Sequence, residues 1–151
     1  MTKKNRAFST LDSTIHLLHR AGQFADEEFS RAAERNGLTA RQFVVLSVVA
    51  SVDNPSQTTI CDHSGIDRST LADIVRRLVA RGLLARRRTR QDARMYAVRL
   101  TDAGQKALEA GAAAAKSVDQ SMLGVLSPAQ RSDFEATLRL MVEKLRERRG
   151  S

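Results

Sequence analysis

Arginine occurs nine times between Arg76 and Arg99, in the stretch RRLVARGLLARRRTRQDARMYAVR, against one acid, Asp92. The stretch carries the entire formal charge of the chain, +8, because the other 127 residues hold 16 basic and 16 acidic groups. Guanidinium groups at this density form a binding surface for lines of phosphate, whereas charge spread evenly mainly aids solubility. Crowded like charges repel in the free chain, and a polyanion relieves them while releasing its condensed counterions. A weakly hydrated guanidinium also enters a narrow minor groove more readily than an ammonium does. Attachment to an anionic membrane is disfavoured, because no Trp or Phe anchors interleave the cluster.

Other reactive residues are sparse. The single cysteine, Cys61, cannot form an internal disulfide, which fits a reducing compartment. It reads as a small buried hydrophobe rather than as a thiol redox sensor. Cys61 and His63 stand at C-x-H spacing, which alone makes no zinc pattern, and no metal or cofactor is expected. There is no phosphate-binding glycine loop, no G-x-S-x-G and no H-E-x-x-H, so an enzyme is not expected. The basic opening MTKKNRAFST is followed by no apolar run of signal length, and FVVLSVVA falls far short of the roughly 20 residues a bilayer span needs. The chain therefore reads as cytoplasmic.

The arginines are positioned by elements whose periods are readable. Helical spacing fills both ends: Phe8, Leu11, Ile15, Leu18, Gly22, Ala25, Phe29 and Ala32 form one seam, with Ser9 or Thr10 as its cap, ended by Asn36-Gly37. Residues 103–125 repeat the device through Leu108, Gly111, Ala115, Val118, Met122 and Val125. Ser127-Pro128-Ala129-Gln130 then opens a further helix using Phe134, Leu138, Met141 and Leu145. A helix of about 25 residues reaches near 38 Å, more than one small core needs, so part of each stripe is expected to meet a second chain.

The middle of the chain differs. Thr39 to Gln42 is a capping box opening the buried helix FVVLSVVA. A short helix from about Thr58 to Ser64 breaks at Gly65, and Asp67 caps the next, whose Leu71, Ile74, Val75 and Leu78 face inward until Gly82. Two helices joined by a tight glycine turn make a helix-turn-helix candidate. Beyond Gly82 the period becomes two: LLARRR and MYAVRL read as strands around a polar TRQDAR tip, and Thr101 caps the helix that follows.

The order predicts a mainly α fold with a small β-hairpin wing: a winged helix-turn-helix with N- and C-terminal dimerisation helices. Residues 1–36 read as the first dimerisation helix, 37–100 as the DNA-binding lobe and 101–151 as the second set of dimerisation helices. With its apolar residues inward, the helix after Asp67 offers Arg68, Ser69, Thr70, Asp73, Arg76 and Arg77 outward. Short hydroxyls and an arginine at its front suit base edges in a major groove, and the later arginines suit flanking phosphates. Thr58 on the preceding helix joins the candidate contacts. In the hairpin Arg86, Arg88, Arg90 and Arg94 do so, Asp92 orienting the Arg94 fork.

From Thr39 to Gly104 the sequence resembles the MarR family of bacterial transcriptional regulators. The recurring pattern L-x-x-x-G-L-hydrophobic-x-R, then D-x-R, then V-x-L-T-x-x-G stands here as Leu78 to Arg86, Asp92-Ala93-Arg94 and Val98 to Gly104. The resemblance implies a homodimer with two winged lobes on a pseudo-palindromic operator, wing arginines in the minor groove, and release by a small ligand. It places Ser69, Thr70 and Arg76 at the major groove and Arg94 at the wing tip. His16, His19 and Arg20, with Phe43, are the candidate ligand residues, and their charge suits an aromatic carboxylate or an acyl-CoA thioester. The expected function is that of a homodimeric, sequence-specific repressor. The alternatives are an architectural DNA binder without an effector, and a redox sensor acting through Cys61.

Overall fold

The computed structural model describes Leu11, residues 13–88 and residues 96–149; Arg90, Asp92 and Arg94 of the expected wing tip lie outside the described residues. Helix α1 spans Thr14–Ala32. The sequence places its start near Phe8, whereas in the structure Ser13 is the cap: its backbone is extended and its hydroxyl accepts the His16 amide at 3.2 Å. Ser9 and Thr10 lie outside the described residues. A 3-10 turn, Glu34–Asn36, follows and stops at Gly37, whose φ of +58° is left-handed.

Helix α2 spans Ala40–Ser51 and opens with the expected box: Gln42 N donates to Thr39 Oγ1, and Thr39 N donates to Gln42 Oε1. Val45, Leu46 and Val49 are buried, but Val44 is exposed, so α2 is not the fully buried helix that its sequence suggests. Helix α3, Gln57–Ser64, is capped by Ser56, and Gly65 ends it at φ +71°. Asp67 caps α4, Arg68–Ala80, and Gly82 (φ +70°) turns the chain into β1, Leu84–Arg88.

Strand β2, Tyr96–Leu100, pairs antiparallel with β1 in the register Leu84 to Leu100 and Arg88 to Tyr96. Simple alternation predicts Tyr96 and Val98 on one face with Ala97 opposite. Instead Ala97 and Val98 are both buried and Tyr96 is exposed. The free edge of β2 is covered by the segment before α3, where Val98 N donates to Pro55 O at 3.1 Å and Ser56 bridges Ala97. Helix α5, Asp102–Leu123, starts at the Thr101 cap, and α6, Pro128–Arg149, starts at Ser127 and Gln130, which exchange cap bonds as expected.

The core lies in the middle of the chain. Leu46, Ile60, Leu71, Val75, Leu78, Leu84 and Val98 are fully enclosed where α2, α3, α4 and the hairpin meet, and Phe29, Ala114 and Val118 carry that core toward α1 and α5. Helix α6 contributes no member of this core. Among the described residues no helix is long and apolar enough to cross a membrane.

Candidate nucleic-acid interface

The amphipathic wheel of α4 sets the site. Burial of Leu71, Ile74, Val75 and Leu78 fixes its rotation, which leaves Arg68, Ser69, Arg76 and Arg77 exposed and Thr70 and Asp73 half-exposed. At the front, Asp67 Oδ1 accepts from the Thr70 amide at 2.9 Å and from Ser69 Oγ at 2.7 Å. The Thr70 amide, then the Thr70 and Ser69 hydroxyls, hold the Asp67 carboxyl well below the usual carboxylate range. The folded-state value is depressed, so this contribution is present at neutral pH and is lost as acid approaches that lowered value. With its proton committed to Asp67, the exposed Ser69 hydroxyl keeps its lone pairs free to accept.

Further along, Asp73 holds two arginines at once. Its Oδ1 pairs with Arg76 Nη2, and its Oδ2 accepts from Arg77 Nε at 2.7 Å. The Arg76 hydrogen bond leads in keeping the Asp73 carboxyl below its ordinary value. All three side chains are open to water, so the pairs add little to stability. They gather two exposed guanidinium groups around one carboxylate, so a negative charge stands among the cations of the outer face. An unspecific phosphate line meets that charge as repulsion, whereas a matched base edge need not. Asp73→Asn is therefore expected to tighten binding to scrambled DNA by about threefold and to narrow the ratio of specific to non-specific affinity, read by fluorescence anisotropy. Unchanged binding to scrambled DNA would remove that role from Asp73.

The wing flanks this face. Arg86, Arg87 and Arg88 are exposed along β1, which packs against the C-terminal half of the lobe through Leu84. Thr58 is exposed near the head of α3. Of the candidate DNA residues, the structure thus places Thr58, Arg68, Ser69, Arg76, Arg77, Arg86 and Arg88 on the open surface and knits Asp73 to two of them.

Of the candidate ligand residues, His16 is half-buried on α1. His19 and Arg20 are exposed on α1, and Arg20 donates to Gln23 and lies 4.7 Å over the Phe24 ring. Phe43 packs instead on Phe29, ring centroids 5.3 Å apart, and fills the space left by the missing side chain of Gly111. Phe29 is nine residues beyond Arg20, half a turn around α1 and about 13 Å along it. The sequence also missed a groove of about 1120 Å³ framed by Leu18 and Gly22 of α1, Met122 of α5, and Leu138 and Val142 of α6. The three spaced stripes held the signal for it, but their mutual rotation did not show. Cys61 is half-buried, and desolvation pushes its thiol up while Arg68 pulls the other way. It is a poor thiolate source at neutral pH, which counts against peroxide sensing.

A two-helix reader with its polar face open, a buried rear face and an arginine strand beside it defines a winged helix-turn-helix DNA-binding protein. A model of the MarR family matches residues 36–95. Over 89% of this chain and 96% of its own, the BpsR regulator of Bordetella bronchiseptica, whose DNA binding is regulated by 6-hydroxynicotinic acid, is 33% identical with a TM-score of 0.81. The transcriptional repressor NicR of Pseudomonas putida is 29% identical over 92% of this chain and 88% of its own. The PcaV regulator of Streptomyces coelicolor, in complex with its natural ligand, has 28% identity and a TM-score of 0.80, covering 91% of this chain and 96% of that one. The chain belongs to the MarR family of transcriptional regulators.

Proposed function

We propose that the protein is a homodimeric repressor that sets its two α4 helices in successive major grooves of a pseudo-palindromic operator and is released by a small aromatic carboxylic acid. The observation that carries the reading is the division of the surface. The polar face of α4 and the arginines of β1 are open, and α1, α5 and α6 frame a mainly apolar groove that is also open. The first surface suits DNA; the second suits another copy of the chain. Thr58, Arg68, Ser69, Thr70, Asp73 and Arg76 then address bases and nearby backbone, and Arg77, Arg86, Arg88, Arg90 and Arg94 address phosphate and minor groove, Asp92 orienting Arg94.

Likeness to a regulator controlled by 6-hydroxynicotinic acid supports an aromatic acid as effector. His16, His19 and Arg20 supply cationic or hydrogen-bonding groups for a carboxylate, with Phe43 as the aromatic wall. In this chain Arg20 contacts Gln23 and Phe24 while Phe43 packs on Phe29, and a second protomer would complete the walls of the site. An effector that binds the free and DNA-bound arrangements differently shifts recognition-helix spacing away from the roughly 34 Å helical repeat.

The test is direct. At about 150 mM salt the protein should bind a fragment from its own upstream region at least about 1000-fold more tightly than scrambled DNA of equal length. Aromatic acids that raise its thermal midpoint should weaken that complex. Equal affinity for both fragments would replace the repressor reading with that of an architectural DNA binder.

A further inference from the structure

Arg81 belongs to the cationic stretch by sequence but does not join the exposed arginines of α4 and β1 in its contacts. It is the C-cap of α4, and its guanidinium reaches back across 44 and 45 residues. Nη1 donates to Gly37 O at 2.9 Å and to Gln42 Oε1 at 3.4 Å, and Nη2 donates to Asn36 O at 3.1 Å. Asn36 and Gly37 end the turn that leaves α1, and Gln42 Oε1 is the same oxygen that accepts the Thr39 amide in the α2 capping box. One planar fork therefore ties the end of α4 to the joint between α1 and α2. The three acceptors are neutral oxygens, so the direction of the fork, rather than pairing with a carboxylate, defines the contact.

We propose that Arg81 is a positioning residue that transmits the tilt of α1 to the recognition helix. The inference rests on the proposed dimer, in which α1 belongs to the arm joining two lobes. A rotation of α1 about the Gly37 joint displaces the Asn36 and Gly37 carbonyls, and the fork carries that displacement to the C-terminal end of α4. The left-handed Gly37 gives the joint a backbone conformation that other residues rarely adopt, which keeps both carbonyls turned to one guanidinium. Lysine retains the charge but cannot span two carbonyls with a rigid fork.

Arg81→Ala and Arg81→Lys, checked first for an unchanged circular dichroism spectrum, separate this role from two simpler ones. Affinity is measured by anisotropy on the upstream fragment across a salt series, and on duplexes with the half-sites moved by one base pair. Both variants should lose about tenfold in affinity at native spacing, keep the wild-type salt slope, and discriminate less against the shifted half-sites. Amide exchange in the free protein should rise in both 36–42 and 78–83 and stay unchanged in 102–123. Recovery by lysine, together with a salt slope reduced by about one in the alanine variant, would make Arg81 a phosphate contact and overturn the proposal. Exchange rising uniformly, or around 78–83 alone, would also overturn it. If the wild type is a monomer without spacing preference, the dimer reading fails separately, and the exchange pattern alone then decides whether the clasp couples the two segments.

Discussion

Gly104→Ala is expected to lower the thermal midpoint by about 4–8 °C and to weaken DNA binding, although alanine is the better helix former. A Cβ at this position would lie 2.0 Å from Leu83 O, 3.0 Å from Leu83 C and 3.1 Å from Leu100 Cδ2. Two of these atoms are backbone at the base of the hairpin, and Leu83 O is also held by the Thr101 amide and hydroxyl. The same hydroxyl donates to Gly82 O at 2.6 Å and accepts the Gly104 amide at 3.0 Å, so the start of α5 is riveted to the turn between α4 and β1. Relief of the clash means breaking that rivet. Overpacking costs about 1–3 kcal/mol in ordinary cores, and contact with fixed backbone belongs at or above its upper end. The helix-propensity gain of about 1 kcal/mol offsets only part of this. Gly111→Ala is the internal comparison. Its Cβ would meet Phe43 Cδ2 at 2.6 Å, a ring that can tilt, so its loss should be smaller. A midpoint for Gly104→Ala equal to wild type, measured calorimetrically, would show that the wing base is not held at this glycine.

What was legible in the sequence follows the range of the interaction that decides each feature. The caps at Thr39, Asp67 and Thr101 were readable because a side chain and an amide three residues apart settle them. The recognition face was readable because Leu71, Ile74, Val75 and Leu78 fix one side of a helix and so expose the other. Gly104 appeared in the V-x-L-T-x-x-G pattern, but the reason for it, the approach of Leu83 O, belongs to tertiary packing. Burial of Ala97 was hidden for the same reason, since its cover comes from Pro55 and Ser56, some 40 residues earlier. Arg81 looked like one more cation of the basic stretch, because nothing local marks an arginine whose acceptors lie at 36, 37 and 42. The contact of Phe43 with Phe29 needed the rotation of α1 against α2, which spacing along one helix does not contain.

Leu138→Glu should convert the protein to a monomer and reduce operator affinity by at least about 100-fold while leaving the lobe folded. Fourteen large hydrophobic residues are exposed among the described residues, and eleven of them are Leu11 or lie on α1 and α6, too concentrated to be scattered surface residues. Leu138 sits mid-stripe on α6 between Phe134 and Met141, also exposed, and borders the groove shared with α1 and α5. Because α6 supplies nothing to the enclosed core, a carboxylate at 138 meets water in the single chain and costs it little. In a dimer the same carboxylate would be desolvated against apolar side chains without a partner, which no interface of ordinary size absorbs easily. Affinity then falls through loss of linkage rather than loss of contact: each lobe keeps Arg76, Arg77 and its wing, but the second half-site is no longer bound at high effective concentration, an advantage of about 100- to 10,000-fold. Light scattering gives the mass, anisotropy the affinity and calorimetry the fold. A dimeric Leu138→Glu with wild-type affinity would show that α6 is not the joining surface, and a monomer that still binds the full operator as tightly would show that the lobes act singly.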